Sequence, residues 1–434
     1  MYNLVSFIGI FILMAVAWAL STDRKVVNWR VIAWGVGLQL LFALFIFVVP
    51  VGAKVFLFIN DAVVKVLDSA QAGTKFVFGR LALAPGTKNE MGEESLGFIL
   101  AFQALPTIVF FASLMGVLYY VGVLPRLIRI FSRAFAKLMR ISGAESLSAA
   151  ANIFVGVESS TVVRPYLATM TNSELCTILT AGMATVASNV LALYVFLLQQ
   201  QFPTIAGHLV SASILGVPAA IVMSKLLLPE TGKPHTLGLD VHPHYEKEST
   251  LMEAVINGAE AGFKLVVGIV TLLLALIGLV SLVDLLFSGI GNWVNGLIGM
   301  QIDWSLKGLL GYLFYPFALV IGVPPTDAGA IAKLIGERAI LTEVKAYQDL
   351  ASALASNSIM HPRSAVIATY ALCGFAHIPS VAIFVGGTAA LVPSRTKDLA
   401  NIGFRSLVAA TLACLMIAAV AGTFYANGSI LLGK

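Results

Sequence analysis

Eight predominantly apolar runs, each long enough to cross a bilayer as a helix, constrain this chain more than any other feature. They fall at 2–20, 31–50, 98–123, 174–199, 207–228, 263–287, 365–392 and 402–426. A helix rises about 1.5 Å per residue, so a hydrocarbon layer of about 30 Å takes about 20 apolar residues. The runs are continuous and do not alternate, which excludes a transmembrane β-barrel. Of 434 residues, 59% are hydrophobic and 11% charged, with a mean hydropathy of +0.92. That leaves too few polar side chains to cover a water-facing surface. The first run has no preceding basic region and no small-residue cleavage site, so it reads as a membrane span and not as a signal peptide.

The net charge of +5 is spread over short loops, a pattern of membrane topology and not of nucleic-acid binding. At 125–140, Arg126, Arg129, Arg133, Lys137 and Arg140 recur at helical spacing opposite Leu, Ile, Phe and Met. This predicts a basic amphipathic helix lying in the interface. With five basic residues and no acid, it belongs on the cytoplasmic side. Parity then puts the basic loops 21–30 and 393–405 and the polar stretch 229–250 on that side, and both termini in the periplasm of a bacterial inner membrane. The stretch 51–95 falls outside, with 51–68 as a second surface helix. Cys176, Cys373 and Cys414 lie far apart in apolar stretches and make no disulfide or metal pattern. His235, His242 and His244 read as a solvated linker.

Two stretches, 145–172 and 309–350, are partly apolar yet contain carboxylates, glycines and prolines. Each suits a re-entrant hairpin better than a straight span, the first entering from the cytoplasm and the second from the periplasm. Each precedes a span with a polar interruption, at Ala184 to Asn189 and at Gly374 to Ser380. Hairpin, broken helix and helix thus occur twice in opposite orientation, the inverted-repeat plan of secondary transporters. Four regions follow: scaffold and interfacial helices at 1–144, a first hairpin and repeat at 145–228, a loop with an interfacial and a scaffold helix at 229–308, and a second hairpin and repeat at 309–434.

Three residues stand out chemically. Glu158 lies in the first hairpin, where a carboxylate at membrane depth costs roughly 2.5–3.5 kcal/mol and calls for a partner or a role; the bland alternative is an ion pair with Arg164. Glu343 sits among Glu337, Arg338 and Lys345, equally readable as a solvated helix with local ion pairs. His377 interrupts an apolar helix beside Pro379, which removes a backbone bond and frees carbonyls. No phosphate-binding loop, HExxH or nucleophile–base spacing is visible, so the sequence offers nothing for an ATP-driven pump or an enzyme.

At these residues the sequence resembles the concentrative nucleoside transporter family along essentially its whole length. The resemblance rests on Ser148 to Gly156 with Val162 to Pro165, on Ile321 to Pro324, on Gly336, Arg338, Thr342, Glu343, Ala346 and Tyr347, and on Ala371 to Ala376. It implies eight transmembrane helices with two opposed hairpins, assembled as a homotrimer, importing a nucleoside with a cation by elevator-like movement. Glu158 and Glu343 match the two hairpin glutamates, Phe375 an aromatic at the base, and Ser380 a ribose-contacting serine. Gly156, Val157, Val190 and His377 complete the implied substrate set. Asn152, Val155, Thr185 and Val186 match sodium-coordinating positions, which makes sodium the expected coupling ion. The chain departs from the family where Gly-Gln-Thr-Glu becomes Gly156-Val157-Glu158, and where His377 replaces an asparagine. A histidine cannot donate and accept through one group as an amide does, so the alternative is a proton- or sodium-coupled symporter for a modified nucleoside or another small polar solute.

Overall fold

The computed structural model describes residues 1–89, 92–244, 248–299 and 302–426. The side chain of Val157 and the C-terminal residues 427–434 lie outside the described residues. Among those described, the chain is helical, with only two isolated β-bridges. The helices are α1 (Tyr2–Ala19), α2 (Trp29–Phe47), α3 (Pro50–Phe78), α4 (Leu100–Gln103), α5 (Pro106–Tyr120) and α6 (Val123–Met139). Then come α7 (Gly143–Ala151), a 3-10 segment (Val157–Thr169), α8 (Asn172–Ala184), α9 (Ser188–Leu198), α10 (Ile205–Leu227) and α11 (Leu251–Ile298). The chain continues as α12 (Leu306–Val320), α13 (Pro325–Ile340), α14 (Glu343–Ala355), α15 (Pro362–Leu372), α16 (Ile378–Leu391) and α17 (Thr396–Phe424).

Among the described residues, seven stretches are helical, long and apolar enough to cross a membrane, α4 with α5 and α8 with α9 each counting as one. The eighth run of the sequence, 365–392, is the pair α15 and α16, of 11 and 14 residues, parted by an unwound segment at 373–377. The first hairpin is α7 followed by the 3-10 segment, close to the expected 145–172. The second is shifted from the expected 309–350. Its arms are α13 and α14, whereas α12 precedes it as α6 precedes the first. The turn Gly322-Val323-Pro324 divides α12 from α13, and Pro325 suits the first turn of a helix because its missing N–H has no partner there anyway. The order interfacial helix, hairpin, broken helix, helix is therefore kept in both halves.

Two other elements outrun their sequence limits. The surface helix expected at 51–68 extends to Phe78 as 29 residues. The span expected at 263–287 is the middle of α11, whose 48 residues reach about 72 Å, more than twice the hydrocarbon thickness.

Burial divides the helices into two sorts. Every residue of α7 is buried, as are twelve of the thirteen in α8 and nearly all of α10. In contrast, α11 presents Phe263, Leu274, Leu282 and Leu285 outward, as apolar side chains in lipid or at a subunit contact do. Small residues seat α11 against α5. A Cβ on Gly258 would lie 2.7 Å from the Ala112 carbonyl oxygen, and one on Gly262 2.8 Å from the Val109 Cα. Such spacing lets two membrane helices approach backbone to backbone.

Candidate functional site

The two broken helices cross at their breaks. Gly374 has φ +110°, open to glycine at little cost, and a Cβ there would stand 2.8 Å from the Ala184 carbonyl. The end of α8 thus rests on the break between α15 and α16. Cys414 of α17 donates its S–H to the Cys373 carbonyl at 2.8 Å, satisfying one of the acceptors that the break frees.

Both hairpin tips reach this crossing. The first is tied down by the Ser188 N–H donating to the Phe154 carbonyl at 3.2 Å. The second ends where Thr342 caps α14, accepting from the Lys345 N–H, which turns Glu343 inward at the first helical position. Glu343 is 3% exposed. Its Oε1 accepts from the Tyr194 hydroxyl at 2.6 Å, and its Oε2 lies 2.7 Å from His377 Nε2. That Nε2–H does not align on Oε2, which is left without a directed hydrogen bond. The solvated-helix alternative for Glu343 is therefore excluded.

His377 caps α16. Its Nδ1 accepts from the Ser380 N–H at 3.2 Å, so the neutral ring carries its proton on Nε2, facing Glu343. The Ser380 hydroxyl lies 3.0 Å from the same Nε2. Phe375 stands nearly perpendicular to His377, with centroids 6.3 Å apart.

These groups line a cavity of about 410 Å³, together with Gly156, Glu158, Asn189 and Val190. Such a volume suits a small polar metabolite with a ring. Leu265, Gly268, Ile269 and Leu272 of α11 close one side. A second cavity of about 500 Å³ shares Glu158 and Asn189 with the first and runs out past Tyr119, Tyr120 and His244. The two form one path that leaves the site toward the ends of α5 and the 229–250 loop. Glu158 is exposed to this path, and among the described residues it makes no ion pair with Arg164.

The residues matched to sodium lie on the first hairpin and on the unwound link after α8, two segments joined by the Ser188–Phe154 hydrogen bond, and Val155 lines the second cavity. Asn152 is fully buried. Its Nδ2 donates to the Ser148 carbonyl at 3.0 Å, while its Oδ1 has no partner. Thr185 and Val186 form the unwound link after α8, where the Thr185 hydroxyl donates to the Ala181 carbonyl at 2.8 Å. The Val186 carbonyl accepts from the Ser213 hydroxyl at 3.3 Å; its second lone pair and the orphaned Asn152 oxygen are hard, neutral donors, the kind that hold an alkali cation. The sequence singled out neither Tyr194 nor the α11 face. Tyr194 was hidden in an apolar span, although its stacking on Tyr347 at 4.5 Å ties it to a recognised motif.

Comparison with known proteins agrees with this geometry. The sequence patterns described as Na+ dependent nucleoside transporter N-terminus and C-terminus match residues 8–81 and 208–422, and one described as nucleoside recognition matches 101–201. The nucleoside permease NupC of Helicobacter pylori is 33% identical, with 97% of this chain and 98% of that protein aligned. The chain belongs to the concentrative nucleoside transporter family. It is a membrane transporter of nucleosides, not an enzyme. Mouse solute carrier family 28 member 3 is 36% identical over 97% of this chain, which spans 58% of that protein's length. The structure of CNTnw in an inward-facing substrate-bound state superposes with a TM-score of 0.86 at 35% identity, covering 98% of both chains. That likeness carries the family's re-entrant hairpins and inverted repeat to this chain.

Proposed function

We propose that this concentrative nucleoside transporter couples nucleoside import to sodium, with the nucleoside in the 410 Å³ cavity and the ion behind the first hairpin tip. The observation that carries the reading is Glu343. It is a buried carboxylate with one oxygen held by Tyr194 and the other lacking a directed donor on the cavity wall. A ribose hydroxyl supplies that donor, and charge-assisted bonds of this kind are about twice as strong as neutral ones. Ser380 and His377 flank the same sugar, Phe375 and Val190 give the ring an apolar seat, and Gly156 and Glu158 face it from the first hairpin, where Val157 stands between them in the sequence. Sodium is held by Asn152, Val155, Thr185 and Val186, one step from the hairpin tip. Its binding orders the tip and prepares the cavity.

Regions 145–228 and 309–434 form the moving unit, and regions 1–144 and 229–308 the scaffold of a homotrimer with both termini in the periplasm. The path past Tyr119 and His244 then opens to the cytoplasm, and the structure corresponds to the releasing state. The test is uptake of labelled uridine into proteoliposomes with and without an inward sodium gradient, at fixed pH and voltage. Sodium-dependent accumulation is expected. Accumulation driven equally by protons without sodium would overturn the ion assignment.

One observation favours the narrower reading of a nucleoside with altered hydroxyls. Because Nδ1 of His377 is occupied by Ser380, the ring offers only a donor, where an amide would offer both functions. Competition of uridine uptake by 2′- and 3′-deoxy analogues decides between the two. Equal competition by the 3′-deoxy compound supports the altered pattern.

A further inference from the structure

A pocket of about 300 Å³ lies at the far end of α9 from Asn189 and the exit path, and nothing in the transport cycle described above uses it. Its fixed wall is Gln71 of α3 with Ala84, Pro85 and Phe98 of the following loop. Its other wall is the end of α9, with Phe196 and the run Gln199-Gln200-Gln201, and the outer half of α14 at Gln348. The five glutamine amides have no side-chain partner among the described residues, and no charged residue lines the pocket. Phe98 and Phe196 lie nearly parallel, 29° apart with centroids at 6.4 Å, so a planar ring can extend the stack.

Unpartnered amides supply donors and acceptors side by side, the pattern with which glutamine pairs to nucleobase edges, and aromatic faces stack on any base. A charged ligand would find no counter-charge. A lipid chain would make no use of the five amides. We propose that this pocket is a second nucleoside-binding site, facing the periplasm, that recognises the base. The proposal rests on the division into moving and fixed parts given above, because the pocket's two walls belong to one of each. A nucleoside bound across them therefore holds the inward-facing arrangement and slows the return of the empty carrier.

The test is equilibrium binding of labelled uridine to the purified full-length protein in saturating sodium, read as ligands per protomer up to millimolar concentration. Two sites of unequal affinity are expected. Glu343→Gln should remove the first and spare the second. The double variant Gln200→Ala, Gln348→Ala should weaken the second roughly tenfold or more, for the loss of about two hydrogen bonds, and leave uptake from dilute uridine unchanged. In proteoliposomes, wild-type uptake should fall at millimolar external uridine, and the double variant should abolish that inhibition. One uridine per protomer in the wild type overturns the proposal, as does a double variant that binds both normally. If Glu343→Gln still binds two and the glutamine variant only one, the outer site stands and the inner assignment fails. Should the double variant aggregate, Phe98→Leu carries the same prediction from the fixed wall.

Discussion

Replacing Glu343 by glutamine preserves shape and removes charge, so it isolates the ionised acceptor. In the folded protein, Oε1 accepts from Tyr194 at 2.6 Å and Oε2 lies 2.7 Å from His377 Nε2. The lost charge-assisted bond to the sugar is worth about 1.5–3 kcal/mol. The new amide also points its NH₂ either at the Tyr194 hydroxyl or at the His377 Nε2 edge that lies 2.7 Å from Oε2. Tyr194 can rotate its hydroxyl to accept, but His377 cannot turn an acceptor toward it while Nδ1 holds the Ser380 N–H. That mismatch adds about 1–3 kcal/mol for a buried unsatisfied group. The sum corresponds to roughly two to four orders of magnitude in uptake efficiency, at a factor of ten per ~1.4 kcal/mol. Initial rates of uridine uptake in proteoliposomes, across a concentration series, measure it. Melting curves within about 3 °C of wild type show that the variant is folded, since a few degrees correspond to about 1 kcal/mol. A folded Glu343→Gln protein with uptake within about threefold of wild type would refute the reasoning.

Asn152→Ala removes the orphaned Oδ1 and should raise the sodium concentration for half-maximal uptake roughly 10- to 100-fold, for a lost polar ligand of about 1.5–3 kcal/mol; an unchanged sodium dependence would place the ion elsewhere. Gly374→Ala forces a Cβ to 2.8 Å from the Ala184 backbone at φ +110° and should destabilise by at least about 1–3 kcal/mol, read as a lowered melting temperature and lost expression. Asp303, in the loop before α12, is held below the usual carboxylate range by its hydrogen bonds to Lys333 and then to Ser305. A lowered folded value means the contribution is present above the unfolded pKa of about 3.9 and is lost as pH falls through the folded one. The melting difference between wild type and Asp303→Asn should therefore be the same at pH 7 and pH 5 and shrink only below about pH 4.

Much of this was readable from the chain because lipid imposes a length rule on apolar runs, and because proline and glycine mark where a helix cannot continue. The places where that reading stopped short share a cause. Ser69, Gln71, Gly73, Thr74 and Lys75 break the apolar signal of α3 after 68, while the helix continues to Phe78. Glu253 and Glu260 mask the start of α11 in the same way. For the site, the charges around Glu343 looked like a solvated helix face, and that was half true. Lys345 pairs with Asp349, and Lys307 reaches Glu337 at 2.9 Å. Glu343, at the first position of α14, turns the other way and is buried. Which side a charge faces depends on the crossing of elements about 150 residues apart, as the Tyr194 bond spans 149 positions. No local periodicity carries that.

The two halves treat the same defect differently. A broken membrane helix frees carbonyls that hydrocarbon cannot satisfy. In the second half, Arg338 is fully buried and donates Nη1 to the Ala371 carbonyl at 2.8 Å, at the end of α15 where the helix dipole favours positive charge. No carboxylate pairs with it among the described residues, so the guanidinium is stabilised by the break itself. In the first half, no cationic side chain among the described residues is hydrogen-bonded to the break, and Asn152 Oδ1 of the first hairpin is left open. One break thus carries a tethered cation and the other a bare acceptor. Under the proposed coupling, only the first break can respond to ions in solution. The second is fixed regardless of sodium, which keeps Phe375 and His377 in place while the first hairpin tip orders and releases. Sodium should accordingly change the protection of backbone amides around Asn152 and Thr185 in hydrogen exchange, and leave those around Cys373 and Gly374 unaltered. Equal protection changes at both breaks would show that the ion acts on the whole crossing and not on one tip.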